Sequence, residues 1–320
     1  MSTSAVLEEI EVEEPIQRSS TAADRLRAET TAVRLQIRWP GVRKTLSEPQ
    51  RRRAADAFEA DLKSLSAAKK LIDTGHPAFR AVSAIRNQAV SYWRGATLPY
   101  IEPGVRLIRR SDVQAFDMQL TTAKAELDQA VTQLDLCYGE LVQQARVRLG
   151  DLFDPSDYPA VLSGLFEISW DYPSTTPPEY LRTVCPQLYE AECQRVQARF
   201  DEAVRLAETA FAEELAELVN HLAERLTGED DGRPKVFRDS AITNMLEFFE
   251  RFQRLNIRSN EQLDQLVDRA RRVVRGVDAQ SLRDQQGVRQ RVAEGLTRVE
   301  STLGDWMTDR PRRAILRRPR

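Results

Sequence analysis

The stretch SDVQAFDMQLTTAKAELDQAVTQLDLCYGELVQQARVRL, residues 111–149, decides the predicted fold. Its apolar residues recur at alternating steps of four and three, the heptad pattern of a helix with one narrow apolar seam. The seam residues are Phe116, Leu120, Ala123, Leu127, Ala130, Leu134, Cys137 and Leu141. We therefore expect one long helix here, with its seam facing a partner helix.

A second long helix is predicted to begin at Pro186 and to end before Gly228. Its apolar residues follow a period close to 3.6, and each helix would be about 60 Å long. They are Tyr189, Cys193, Val196, Phe200, Ala203, Ala207, Phe211, Leu215, Leu218 and Leu222. The two helices predict an antiparallel hairpin, a coiled-coil stalk over residues 111–231.

Residues 25–110 predict a small α+β head at the base of this stalk. Alternating apolar residues from Val33 to Trp39 indicate a half-buried strand, and Leu98–Ile101 and Val105–Ile108 flank a Pro-Gly turn typical of a hairpin. Helices are expected from Ser47 to about Asp73 and over 78–94. The predicted fold class is therefore mainly α, with a small α+β part.

The ends of the chain have distinct compositions. Residues 1–24 are acidic and lack aromatic side chains, which predicts a disordered tail. Residues 232–308 predict C-terminal helices over 240–256, 260–275 and 279–307, and residues 309–320 predict a basic, Arg-rich tail.

Charge is unevenly distributed along the chain, although the net charge is only −2. Residues 25–110 carry 18 basic and 7 acidic side chains, residues 111–231 carry 8 and 24, and residues 232–320 carry 20 and 12. This layout predicts a basic head, an acidic stalk and a basic tail. Only 6 of the 47 basic residues are Lys, so the abundance of Arg does not by itself indicate a nucleic-acid partner.

Basic side chains lie beside aromatic ones in the head, a pattern typical of phosphate contact combined with base stacking. Three arginines also lie in the first turn of a predicted helix, where the helix dipole disfavours cations. The candidate nucleic-acid-binding residues are Arg51, Arg52, Arg53, Lys69, Lys70, Trp93, Arg94, Arg106, Arg109, Arg110, Arg312, Arg313, Arg317 and Arg318. The alternative is that the basic head packs against an acidic stalk of the same or another copy.

The segment between the long helices, residues 150–185, is rich in aromatics and prolines. In an antiparallel hairpin it lies at the far tip, where its aromatics would form a protein-contact surface. The candidate contact residues are Phe166, Trp170, Tyr172 and Tyr180. The alternative is that these aromatics form a small cap that closes the hairpin.

The sequence predicts no catalytic residue, metal ligand set or cofactor. The two histidines have no second ligand at metal-binding spacing, and the glycines do not cluster into a phosphate-binding loop. The three cysteines lack C-x-x-C spacing, and no apolar run reaches the roughly 20 residues of a membrane helix. With no signal peptide at the N-terminus, these features predict a cytoplasmic protein that does not enter a membrane.

Three short stretches, IRWPGVRKTLS at 37–47, KKLID at 69–73 and EPGVRLI at 102–108, precede the first long helix. In this arrangement the first 120 residues resemble uncharacterised helical proteins of phages and other mobile elements. The resemblance implies no site residues and no activity.

Two functional hypotheses follow from the sequence. The first is a non-enzymatic structural or adaptor protein that uses the stalk to space contact surfaces and associates with itself. The second is a sequence-independent nucleic-acid-binding protein that acts through the basic head and the Arg-rich tail. An enzyme is a third hypothesis, and it would require stalk carboxylates to meet head arginines in a cleft.

Overall fold

The computed structural model describes residues 20–227 and 239–308, and within these ranges the protein is mainly α with a small antiparallel sheet. The helices are α1 (Ala22–Glu29), α2 (Glu48–Ala57), α3 (Pro77–Ala96), α4 (Val113–Leu149), α5 (Tyr180–Val184), α6 (Pro186–Thr227), α7 (Ser240–Leu255), α8 (Glu261–Val274), α9 (Ala279–Asp284) and α10 (Gln286–Thr308). The strands are β1 (Thr30–Arg38), β2 (Arg43–Thr45), β3 (Ala68–Lys70), β4 (Leu98–Pro99), β5 (Val105–Arg109) and β6 (Glu167–Asp171). The prediction of a mainly α fold with a small α+β part is therefore confirmed.

Four of the strands form one antiparallel sheet in the order β4-β5-β1-β6. Ala32 lies opposite Leu107, and Leu35 lies opposite Trp170. The predicted strand and the predicted hairpin are both present, and Gly104 supplies the positive φ of 77° in the turn between β4 and β5.

Part of the sheet is buried on both faces, because neighbouring residues in the first half of β1 and in β5 enter different cores. Ala32 and Leu107 belong to a core with α1, α6, α7, α8 and α10, which we call the α6 core. Val33 and Ile108 belong to a core with α3 and α4, which we call the α4 core. The sheet therefore has one long helix packed on each side.

This arrangement corrects the predicted hairpin of the two long helices. Within the described residues α4 packs along α3 and contacts β6, whereas α6 packs along α10 and contacts β4. The two long helices share no extended interface, because each covers a different face of the sheet.

The buried face of α4 also departs from a strict heptad. Val131 and Tyr138 are buried where the seam placed Ala130 and Cys137, which are half-buried. The buried positions thus follow a period closer to 3.6 than to 3.5, which is the pattern of a straight helix on a mixed surface rather than a supercoil.

The aromatic segment 150–185 does not lie at a distal tip. Its chain turns back along α4, where the Leu162 N–H donates to Asp135 Oδ1 at 3.0 Å, and its strand β6 pairs with β1. The alternation of FEISW places Ile168 in the α4 core, and that burial brings the segment back to the sheet.

Two further boundaries differ from the prediction. The helix expected to reach Asp73 ends at Ala57, and residues 68–70 form β3 instead. The acidic tail predicted over 1–24 ends earlier, because Thr21 and Asp24 form a capping box that starts α1. The part of that tail at residues 1–19 lies outside the described residues.

The helices predicted over 240–256 and 260–275 are present as α7 and α8, whereas the single helix predicted over 279–307 is divided at Gln285 into the short α9 and α10. In the described part of the chain, no helix combines the length and the apolar character that crossing a membrane requires.

Candidate functional site: an arginine cleft

A cleft of about 1140 Å³ opens between α8, α9 and α10. Five arginines and one carboxylate, Glu294, are the charged residues that line it. We call it the arginine cleft and define it by Arg269, Arg272, Arg275, Arg291 and Arg298, all of which are exposed. The lining therefore carries a net charge of +4.

The turn between α8 and α9 fixes one end of the cleft. Gly276 follows α8 with a φ of +72°, a conformation that side chains with a Cβ rarely adopt. Asp278 then caps α9 by accepting from the Ser281 N–H at 2.7 Å, and this hydrogen bond holds the pKa of Asp278 below its ordinary value. The positive φ of Gly276 and the cap by Asp278 together reverse the direction of the chain, so that α10 lies beside α8.

The distance between α8 and α10, which form two sides of the cleft, depends on Gly295. A Cβ added at Gly295 of α10 would lie 2.8 Å from Cγ1 of Val273 on α8, closer than such atoms approach in proteins. Gly295 therefore allows the two helices to meet closely below the arginines. Val292, Leu296 and Val299 are buried next to it, so this contact belongs to the α6 core.

The cleft arginines have no acidic partner among the described residues, where none of the five forms an ion pair. Three of them donate through Nε to a carbonyl one turn earlier: Arg272 to Asp268 O at 3.2 Å, Arg291 to Gly287 O at 3.3 Å and Arg298 to Glu294 O at 3.2 Å. These bonds orient the guanidinium groups and leave their terminal nitrogens free to bind an anion.

The rest of the lining is small and weakly polar. Val273, Val277, Val288, Val292 and Val299 provide apolar surface, and Ser281 and Ser301 provide hydroxyl groups. No aromatic side chain is among the lining residues. Such a surface suits oxyanions held by forked guanidinium contacts, and it offers no platform on which a base could stack.

Several of the head residues predicted to bind nucleic acid are used inside the protein. Only 4% of the Lys69 side chain is exposed, and its ammonium group contacts Asp157 Oδ2 at 2.5 Å and Leu152 O at 2.7 Å. Lys44 pairs with the same carboxylate. Burial raises the pKa of Asp157, but the bonds from Lys44 and Lys69 outweigh it and hold that pKa below its ordinary value. Lys69 is therefore a structural residue.

Arg106 is likewise engaged within the head. Its Nε donates to Thr97 Oγ1 at 2.7 Å and its Nη2 donates to Thr97 O at 2.8 Å, at the C-terminal end of α3. Its guanidinium also lies over the ring of Trp93, with 5.7 Å between the guanidinium carbon and the ring centroid. Burial, together with the neighbouring Arg94 and Arg251, lowers the pKa of Arg106 to about 10, so it stays charged at neutral pH.

Three more predicted residues make contacts within the chain. Arg109 Nη2 donates to Asn256 O at 3.2 Å and thereby joins β5 to the end of α7. Arg110 Nε donates to Thr30 O at 3.2 Å, and Lys70 lies 3.7 Å from an oxygen of Asp73.

The remaining basic candidates are exposed or lie outside the described residues. Arg52, Arg53 and Arg94 are exposed, with Arg52 paired to Glu48 at 3.2 Å, and Arg51 is half-buried. The tail candidates Arg312, Arg313, Arg317 and Arg318 lie outside the described residues.

The four aromatic candidates do not form one surface. Phe166 is buried against Trp39, with ring centroids 4.7 Å apart, and the Trp170 indole donates to Asp117 Oδ1 at 2.8 Å. Tyr172 and Tyr180 are exposed to 38% and 66%. Only these two are available to a partner.

The arginine cleft was not predicted from the sequence, although the spacing of its arginines gives a partial indication. Arg291 and Arg298 are seven residues apart, and Arg269 and Arg272 are three apart, spacings that place each pair on one side of its helix. The convergence of the two pairs depends on the turn at Gly276 and on the close contact at Gly295. Neither could be assigned to a cleft from spacing alone.

No group of three or more His, Cys, Asp or Glu residues that could hold a metal ion occurs in residues 20–227 and 239–308.

Comparisons with known proteins give no guide to function: no family model, no curated protein and no solved structure matches the chain. The resemblance to proteins of phages and mobile elements therefore stays a prediction.

Proposed function

We propose that the protein is a non-enzymatic, sequence-independent nucleic-acid-binding protein that holds phosphate groups in the arginine cleft. The observation that supports this most is that five exposed arginines without acidic partners line one cleft. Elsewhere in the described chain, Arg34, Lys69 and Arg106 show the opposite situation, because carboxylates or carbonyls hold their charged groups.

The chemistry of the cleft favours the backbone of a nucleic acid over its bases. A guanidinium binds a phosphate through two parallel hydrogen bonds, and contacts to the backbone carry no sequence information. The lining contains no aromatic or amide side chain apart from Gln285 that could read or stack a base. We therefore expect similar affinity for oligonucleotides of unrelated sequence.

The test is a salt titration of the full chain with a fluorescently labelled single-stranded DNA of about 20 nucleotides, a length that exceeds typical single-strand sites. The variant Arg272→Glu with Arg291→Glu should bind more weakly, and the slope of log K against log salt should become shallower by about 2. Arg148→Glu with Arg271→Glu is the matched control, because both arginines are exposed, neither lines the cleft, and the net charge changes equally.

Equal losses in the two variants, or unchanged affinity in the double variant, would contradict the proposed function. Polyglutamate serves as a second probe. If it binds the cleft and DNA does not, the ligand is an acidic protein and the nucleic-acid assignment is wrong.

The adaptor hypothesis is a second candidate, and three exposed apolar residues next to the break between α5 and α6 support it. Tyr180 and Val184 belong to α5 and Leu188 belongs to α6, and they are exposed to 66%, 76% and 42%. The stalk that the adaptor hypothesis uses to space contact surfaces cannot be a hairpin of α4 and α6, because these helices lie on opposite faces of the sheet.

Light scattering tests this candidate. A self-associating chain should show a mass that rises with concentration, and Val184→Glu should keep it monomeric. A constant mass over the whole concentration range would exclude self-association through these residues.

A further inference from the structure

The acidic N-terminal segment of the same chain matches the arginine cleft in charge. Residues 1–19 contain five glutamates and one arginine, a net charge of −4, and the cleft lining carries a net charge of +4. The glutamates fall within residues 8–14, and from Glu9 to Glu13 acidic and apolar residues alternate. The cleft is lined by arginines, which can bind the acidic residues, and by valines, which can contact the apolar ones.

The point at which this segment joins the described chain lies close to α8. The carbonyl of Ser20, the first described residue, accepts from Arg25 Nη1 at 2.8 Å. Arg25 Nη2 also donates to the carbonyls of Ile257 at 3.4 Å and Arg258 at 3.3 Å, in the turn before α8. The N-terminal segment therefore enters the fold at the far end of the helix that forms one wall of the cleft.

The segment is long enough to reach the cleft. Along the 14 residues of α8 the distance from that turn to Gly276 is about 21 Å. At about 3.3 Å per residue, an extended chain covers about 23 Å from Ser20 back to Glu13 and about 36 Å back to Glu9. The length of the segment is therefore sufficient for its alternating residues to reach the arginines.

We propose that residues 7–14 occupy the arginine cleft of their own chain and compete there with nucleic acid. This inference rests on the proposed function for its biological meaning, but the contact itself can be tested separately. A tethered segment has an effective concentration in the millimolar range, so even weak intrinsic binding fills the cleft for much of the time. The carboxylates then stand in for phosphates on the same guanidinium groups.

The test uses the full chain with Glu9, Glu11 and Glu13 changed to Gln. Releasing the segment should tighten DNA binding about fivefold, because apparent affinity scales with the fraction of chains whose cleft is open. The matched control neutralises Glu126, Asp128 and Glu140 as amides. These exposed carboxylates lie on α4, which belongs to the α4 core and not to the core beneath the cleft. Their loss changes the net charge by the same amount.

A peptide experiment separates the inference from the proposed function. A labelled peptide of residues 5–16, AVLEEIEVEEPI, should bind the triple Gln variant in trans, and Arg272→Glu with Arg291→Glu should abolish that binding while Arg148→Glu with Arg271→Glu preserves it. Peptide binding without DNA binding would uphold the intramolecular contact and reject the nucleic-acid function. DNA binding that depends on the cleft, with no peptide binding and no effect of the Gln changes, would overturn the inference and leave the function standing. Equal tightening in the α4 control would also overturn it, since net charge alone would then explain the effect.

Discussion

The basic head and the arginine cleft both carry an excess of positive charge, but their charged groups have different partners. In the head, Lys69 is bound to Asp157 and Arg106 is bound to the end of α3. In the cleft, Arg272 and Arg291 each donate to a carbonyl of their own helix and line a common opening. The number of basic residues in a region therefore does not measure the positive charge available to a partner.

The largest effect is expected when the internal bonds of the head are broken. Asp157→Asn removes the carboxylate that neutralises Lys69, whose side chain is almost fully buried. Because an unpaired buried ammonium is costly, we expect the free energy of unfolding to fall by about 3 kcal/mol in urea titrations. DNA affinity of the folded variant should not change, since the arginine cleft belongs to the α6 core.

The pH dependence of this variant provides a control. The folded-state pKa of Asp157 is below its ordinary value, so its stabilising effect is complete above the unfolded pKa of about 4 and is lost as the pH falls through the folded value. The stability difference between the wild-type chain and Asp157→Asn should therefore shrink below pH 4. A difference that stays constant down to pH 2 would show that the pair is not its source.

A smaller loss is expected for Arg106→Ala. The substitution leaves the Thr97 carbonyl and hydroxyl without their donor and removes the cation from the C-terminal end of α3. We expect a loss of about 2 kcal/mol in unfolding free energy and no change in the salt dependence of DNA binding. A stable variant with weakened DNA binding would instead place Arg106 in the binding surface, as the sequence suggested.

Gly295→Ala tests the geometry of the cleft itself. The new Cβ would collide with Val273, so α8 and α10 must separate slightly, at a cost of about 1 kcal/mol in unfolding free energy. Because the walls carry the arginines, DNA affinity should fall as well. Gly304→Ala on the same helix is the matched control, since a Cβ there meets no atom within 4 Å. Equal effects of the two substitutions would show that the contact with Val273 does not matter.

Much of the fold could be predicted from local patterns, whereas the partners of the long helices could not. The alternation from Val33 to Ile37 identified β1, and Pro103-Gly104 identified the turn before β5. The seam of α4 showed which face is buried, but an apolar face does not specify what covers it. Each long helix packs on one face of the sheet, because Ala32 and Leu107 are buried on one face and Val33 and Ile108 are buried on the other.

The same limit applies to the binding site. The sequence around a basic residue does not show whether it is buried in an ion pair, as Lys69 is, or exposed, as Arg272 is. The distinction arises from contacts between distant parts of the chain, such as Lys69 with Asp157. Only Tyr172 and Tyr180 of the predicted aromatic surface are exposed, because the pairing of β6 with β1 buries Phe166 and half-buries Trp170.

The most direct measurement compares two charge reversals of equal size, one in each basic region. Arg52→Glu with Arg53→Glu changes two exposed arginines of α2, and Arg272→Glu with Arg291→Glu changes two exposed arginines of the cleft. We predict that the slope of log K for single-stranded DNA against log salt becomes shallower by about 2 for the cleft pair and stays unchanged for the α2 pair. An equal or larger change for the α2 pair would show that the cleft does not supply the positive charge that binds DNA.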